Sequence, residues 1–168
     1  MVEQNQAERR VRVTLDASGH PYEVMACDPA LADTVDFCAH YGIPASNSVN
    51  TILVKAKTGG ERFVVCVLLA DSKLDVNRTV RKRLGARRVS FASAEETQRL
   101  TGMVLGGVTP VGLPEDLPIW VDARVMHVEY VILGAGVREA KIKVAPALFD
   151  SLPGVEIVEG LAIELAQT

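Results

Sequence analysis

The chain has 168 residues, of which 48% are hydrophobic and 23% charged, with a formal net charge of -3. That length suits one domain, spanning 1–168, that buries roughly two-thirds of its unfolded surface around one core, and the composition excludes a disordered chain. The small negative net charge offers no global attraction to nucleic acid, so such binding must come from a local patch.

The elements follow in chain order. Ala7, Val11 and Leu15 recur at four-residue spacing and predict a short amphipathic helix over Ala7–Leu15, ended by Ser18-Gly19-His20-Pro21. Tyr22–Ala26 reads as a short strand, and a second helix is expected from about Leu31 to Tyr41, stopped by Gly42 and Pro44. Thr51–Ala56 and Arg62–Leu69 are apolar, β-branched runs joined across Thr58-Gly59-Gly60, a hairpin signature. The second run is so continuously apolar that it predicts a central strand buried on both faces. Asp71–Asp75 reads as a turn, and Val76–Leu84 as a helix with Val76, Val80 and Leu84 on one face and Gly85 at its end. Arg88–Phe91 is a short strand, and Ser93-Ala-Glu-Glu opens a helix with a capping box.

After that helix come strands at Ile119–Asp122 and Glu129–Leu133, with a helical connection over Ala123–His127 between them. A turn at Gly134-Ala135-Gly136 leads into Ala140–Val144, and Pro146 starts a helix through Leu152. Val155–Val158 and Leu161–Leu165 finish the chain. Short strands of mixed spacing interrupted by short helices give an α+β class: a curved, mixed, mostly antiparallel sheet, partly barrel-like, flanked by short helices.

Three cysteines, Cys27, Cys38 and Cys66, show no C-x-x-C spacing, which argues against a disulfide framework or zinc site and fits a reducing cytosol. The first residues have neither a basic nor an apolar leader region, and no apolar run approaches the roughly 18 residues of a membrane span. A cytoplasmic protein without a membrane partner is expected. His20, His40 and His127 lie far apart and form no metal motif, so no metal or cofactor is expected. No nucleophile elbow, Walker or dinucleotide motif occurs. Cys66, inside an apolar run, reads as a packed, inert thiol.

Two stretches carry candidate chemistry. Thr101 to Gly112, Thr-Gly-Met-Val-Leu-Gly-Gly-Val-Thr-Pro-Val-Gly, is shaped as neither helix nor strand. Such a loop brings main-chain N–H groups to a surface with no side chains in the way, as a backbone nest does when it grips an anion or a carbonyl oxygen. The plainer reading is a long turn that closes the fold. Arg78, Arg81, Lys82, Arg83, Arg87 and Arg88 form a basic stretch that reads either as a solvated helix face or as a phosphate-contacting patch. Asp122 is open to two readings, as a cap of the next turn or as a residue facing the pocket.

Taken together, Asn50-Thr-Ile-Leu-Val-Lys, Leu69-Ala-Asp71-Ser-Lys73-Leu-Asp75, Ser93-Ala-Glu-Glu, Leu100-Thr101-Gly102, Gly106-Gly107-Val108-Thr109-Pro110-Val111-Gly112, Val121-Asp122 and Gly134-Ala135-Gly136 resemble the YbaK/prolyl-tRNA-synthetase-associated editing-domain family. The resemblance runs from about Ala30 to Leu152. It implies a free-standing hydrolase of mischarged aminoacyl-tRNA, with the tRNA acceptor end, its attached amino acid and an aminoacyl-tRNA synthetase as partners. It also implies a site: Gly106, Gly107 and Asn50 at the reacting ester. Thr51, Thr101, Gly102, Val108, Thr109, Pro110, Gly112, Asp122, Gly134 and Gly136 would line the substrate pocket, and Arg78, Arg81 and Lys82 would hold the tRNA.

An aminoacyl ester is already activated, so a nest that holds the carbonyl and admits water would suffice for its hydrolysis. This sequence departs from the family's pattern at Asn50, where relatives place a lysine before the strand threonine. Asparagine donates hydrogen bonds but supplies no charge, and the alternative function is a catalytically silent module that binds tRNA ends, a nucleotide or a small metabolite. Lys55, an odd number of residues away, falls on the other face of the strand. A second departure is Lys141, where an acidic residue is expected in some relatives, and one reading is that the positive charge has moved there.

Overall fold

The computed structural model describes residues 2–165. Helix α1 spans Val2–Ser18 and places Ala7, Val11 and Leu15 on its buried stripe, each with no exposed surface. It runs further toward the N-terminus than the apolar spacing predicts, because its first turns carry no apolar periodicity that could mark them. Strand β1 is Tyr22–Ala26, and α2 is Thr34–Tyr41 after a single 3-10 turn at Pro29–Leu31.

Strands β2 (Val49–Ala56) and β3 (Arg62–Leu69) form the expected hairpin, with Val49 opposite Leu69 and Ala56 opposite Arg62. They centre a five-stranded sheet in the order β5-β2-β3-β6-β9, where β5 is Val89–Phe91, β6 is Ile119–Asp122 and β9 is Val155–Val158. Strand β3 is buried on both faces. Val65, Val67 and Leu69 enter the main core with α1, and Val64, Cys66 and Leu68 enter a second core beneath Val80, Leu84 and Leu161. Burial pushes the Cys66 thiol up to about 12, which keeps it protonated and inert.

A second sheet has three strands in the order β1-β8-β7, with β7 at Val131–Gly134 and β8 at Ala140–Val144. A parallel bridge from Ser48 to Ile132 joins its β7 edge to the approach to β2. Asp71–Asp75, expected as a turn, contains strand β4 (Ser72–Leu74), which pairs with β10 (Ala162–Glu164). Pairings are mostly antiparallel, but β3-β6 and β6-β9 are parallel. The strands of the described residues divide among three sheets and close into no barrel; the partly barrel-like expectation is corrected on that point.

The Val76–Leu84 segment opens as a wide five-residue turn, Val76–Val80, and tightens into α3 at Arg81–Leu84. Helix α4 spans Ala94–Thr101, and its capping box is complete: the Ser93 hydroxyl accepts from Glu96 N–H while the Glu96 carboxylate accepts from Ser93 N–H. No helix among the described residues is long and apolar enough to cross a membrane.

Candidate functional site

The two sheets and the Gly-rich loop leave between them a cleft of about 220 Å³, lined by Asp33 and Thr34 at the start of α2, Asn50, Thr51 and Ile52 of β2, Leu105, Gly106 and Val108 of the loop, Gly134 at the end of β7, and Lys141 of β8. The bridge between Ser48 and Ile132 brings β2 beside β7, so residues from both sheets share one cleft. Asn50 is held from the side, because Thr34 Oγ1 donates to Asn50 Oδ1 at 2.7 Å. With its oxygen engaged, the amide keeps two N–H donors for the cleft.

The loop wall is built from backbone. Gly107 N–H donates to the Val104 carbonyl at 2.9 Å, closing a turn in which Gly106 takes φ +86°, a conformation that glycine adopts at little cost at the third position of a type II turn. The Gly107 carbonyl accepts from Gly136 N–H at 2.7 Å. A Cβ on Gly107 would lie 2.8 Å from Val137 N and C, and one on Gly134 would overlap the Val108 carbonyl oxygen. The loop reading is therefore corrected at Gly107: its amide is committed to Val104 and its surface is buried, so it supports the wall rather than offering a donor.

Lys141 sits on the floor, only 7% exposed. Its Nζ donates to the Ala32 carbonyl at 2.6 Å and to the Gly106 carbonyl at 2.8 Å, and lies 5.5 Å from the centroid of the Phe37 ring. Burial pushes its pKa down. Beside it Arg138 clamps the loop to the segment before α2: its guanidinium donates to the Leu105 carbonyl at 2.7 Å, the Pro29 carbonyl at 2.9 Å and Asp33 Oδ1 at 3.1 Å.

Of the residues expected at the site, Asn50, Thr51, Gly106, Val108 and Gly134 meet at this cleft; the others do not line it. Thr101 is buried at the end of α4, its hydroxyl donating to the Thr97 carbonyl at 2.7 Å and accepting from Met103 N–H at 3.0 Å, and Gly102 caps that helix. Thr109 is fully buried. Pro110 and Gly112 line a separate cleft of about 310 Å³ against α1. Gly136 packs against Ala7 behind the wall. Asp122, 1% exposed, stands at the N-cap position of the Ala123–His127 turn without a side-chain cap bond and does not line the cleft; its carboxylate accepts from Ala162 N–H at 3.3 Å and burial raises its pKa.

Thr34 and Arg138 carry no sequence signal that would have singled them out, because their partners lie 16 and 33 to 109 residues away. Lys55 points away from the cleft, its Nζ donating to Glu96 Oε2 at 2.7 Å.

A larger groove of about 760 Å³ shares Asn50 and Ile52 with the cleft and runs past Lys73 and Phe91 to Val76 and Asn77, where the basic segment begins. In that segment Arg78 and Lys82 are exposed, and Arg81 Nε donates to the Asn77 carbonyl at 2.8 Å. Arg83 is engaged elsewhere, paired with Glu156 and stacked 4.9 Å from the Trp120 ring centroid.

Comparison with known proteins gives a family match: the aminoacyl-tRNA editing domain, over residues 28–151. A proline–tRNA ligase of Bacillus licheniformis is 32% identical over 107 residues, 64% of this chain and 18% of the ligase. A "Putative Cys-tRNA(Pro)/Cys-tRNA(Cys) deacylase" of Enterococcus faecalis is 27% identical over 108 residues, 64% of this chain and 63% of that protein. The match thus spans less than two-thirds of either relative's own length. A crystal structure of a "putative trans-editing enzyme for prolyl tRNA synthetase" superposes with a TM-score of 0.76 at 21% identity, covering 91% of this chain and 95% of that one, a likeness that speaks for the fold.

Proposed function

The chain belongs to the aminoacyl-tRNA editing domain family, and from that premise we propose that it is a trans-acting deacylase, hydrolysing the ester of a mischarged aminoacyl-tRNA. The observation that carries this reading is the meeting of the Asn50 amide, held by Thr34, with the Gly106 turn across one small cleft. An ester placed there has hydrogen-bond donors beside its carbonyl and a wall of backbone behind it. Water adds through its oxygen to the carbonyl carbon and the carbonyl oxygen takes up the negative charge. The bond to the ribose oxygen then breaks, and that oxygen takes the proton from the attacking water. The products are the free amino acid and a tRNA with its hydroxyl restored.

Positioning and charge stabilisation supply the rate, as suits an ester that is already activated. The groove that leaves the cleft at Asn50 and Ile52 and reaches Asn77 gives the acceptor end a path toward Arg78, Arg81 and Lys82. The cleft's 220 Å³ suits a small amino acid, where one methylene is worth about 1 to 3 kcal/mol of discrimination.

The test is a deacylation screen of the purified protein against Ala- and Cys-tRNA(Pro) and Ser- and Thr-bearing tRNAs. Hydrolysis of one or two species is expected. Asn50 in place of the family's lysine favours a second reading, a silent module that binds and protects the aminoacyl end. Silence across the panel together with saturable tRNA binding would select it.

A further inference from the structure

We infer that Lys141 is the cation that meets the ester carbonyl of the substrate in this chain, taking the part left open by the uncharged Asn50; the inference rests on the deacylase reading. In β8 the run Ala140-Lys-Ile-Lys-Val144 alternates, so Lys141 and Lys143 leave the strand on the same face. Lys143 stays half-exposed, 4.5 Å from the Tyr130 ring centroid and 3.9 Å from Glu23. Lys141, on that same face, is roofed by the Gly106 turn and by Ala32 and is 7% exposed.

A buried ammonium is costly unless it is paired. Among the described residues no carboxylate stands within ion-pair distance of Lys141; Asp33, the acidic residue closest to that role, is turned to Arg138 at 3.1 Å. Two of the three ammonium donors are taken by the Ala32 and Gly106 carbonyls, which leaves one. That remaining donor belongs to a group lining the cleft that also holds Asn50 and Gly106. A pre-positioned, unneutralised positive charge beside two amide donors is the environment that stabilises an oxygen on which negative charge develops. A lysine present only to pin the loop would have no need to line the cleft.

The experiment compares wild type, Lys141→Met, and the double variant Lys141→Met with Asn50→Lys. Each is measured for kcat and KM on the aminoacyl-tRNA that the wild type hydrolyses, and for affinity toward a phosphonate analogue of the aminoacyl ester on adenosine, with thermal midpoints recorded alongside. Lys141→Met is expected to lower kcat/KM by about 10² to 10³-fold, carried mainly by kcat, and to weaken the phosphonate at least tenfold. Restoring a lysine at position 50 is expected to recover at least tenfold of each.

Wild-type turnover and affinity in Lys141→Met would overturn the inference. So would a loss that Asn50→Lys leaves unrepaired, since a lysine that merely pins the loop cannot be replaced from the opposite wall. A wild type that binds the phosphonate in a Lys141-dependent way yet hydrolyses no aminoacyl-tRNA would remove the deacylase reading and keep the cation. A wild type that does neither would overturn both.

Discussion

Thr34 Oγ1 and Asn50 Oδ1 lie 2.7 Å apart, and this one contact decides which end of the Asn50 amide meets the cleft. Thr34→Val keeps the volume and removes the donor, so the amide is free to rotate and present its oxygen to a substrate carbonyl. A fall of about tenfold in kcat/KM is expected, equivalent to about 1.4 kcal/mol, with the thermal midpoint shifted by only a few degrees. Unchanged kinetics would show that the orientation of the Asn50 amide has no part in the reaction.

The close approach of Gly134 to the Val108 carbonyl predicts an ordering of stabilities. Gly134→Ala forces backbone apart and should cost about 1 to 3 kcal/mol or more. At Gly42, with φ +69° and nothing within 4 Å of an added Cβ, alanine meets only the left-handed backbone penalty of about 1 to 2 kcal/mol. Denaturant unfolding of the two variants should find Gly134→Ala the weaker; the reverse order would mean that the loop yields without cost.

The start of α4 gives an acid limb to stability. Lys55 and then the Ser93 N–H hold the Glu96 carboxyl down from its ordinary 4.5 to about 2. A carboxyl lowered on folding stabilises the protein fully above its unfolded pKa, and that share is lost as pH falls from about 4.5 toward 2. Glu96→Gln should flatten unfolding free energy across that window and leave its slope near pH 7 unaltered. An identical acid limb in the variant would assign the effect to other groups.

Arg78 and Lys82 are exposed on the basic segment. If tRNA phosphates are held there, charge reversal at both should weaken tRNA binding and reduce the slope of log affinity against log salt by about 1.4 to 1.8. Filter binding from low to moderate salt would measure it, with thermal midpoints as the fold control. An unaltered slope would return this stretch to an ordinary solvated face.

Local chemistry made much of the architecture readable in the sequence. The hairpin announced itself through its apolar runs and Gly59-Gly60, α1 through Ala7, Val11 and Leu15, and α4 through the Ser93 capping box. Strand β4 was hidden because its partner β10 lies some ninety residues on, and three residues between acidic ends look like a turn until that edge arrives. The site was half legible. Asn50 and Gly106 stood out, and Lys141 was marked as a displaced charge, but period-two alternation says nothing of its burial, which comes from the tertiary roof of Gly106 and Ala32. Asp122 stayed ambiguous for the same reason: its partner, Ala162 N–H, is forty residues away.

The contact of Gly107 with Val137 and of Gly134 with Val108 also bears on how such a cleft can diversify. One wall is main chain against main chain, and any side chain added there must first push two strands of backbone apart. On the deacylase reading, acquired preferences for a larger or smaller amino acid are therefore channelled to lining residues that already carry side chains, Thr51, Ile52 and Leu105. A library for altered selectivity belongs at those three positions, with the glycines left alone.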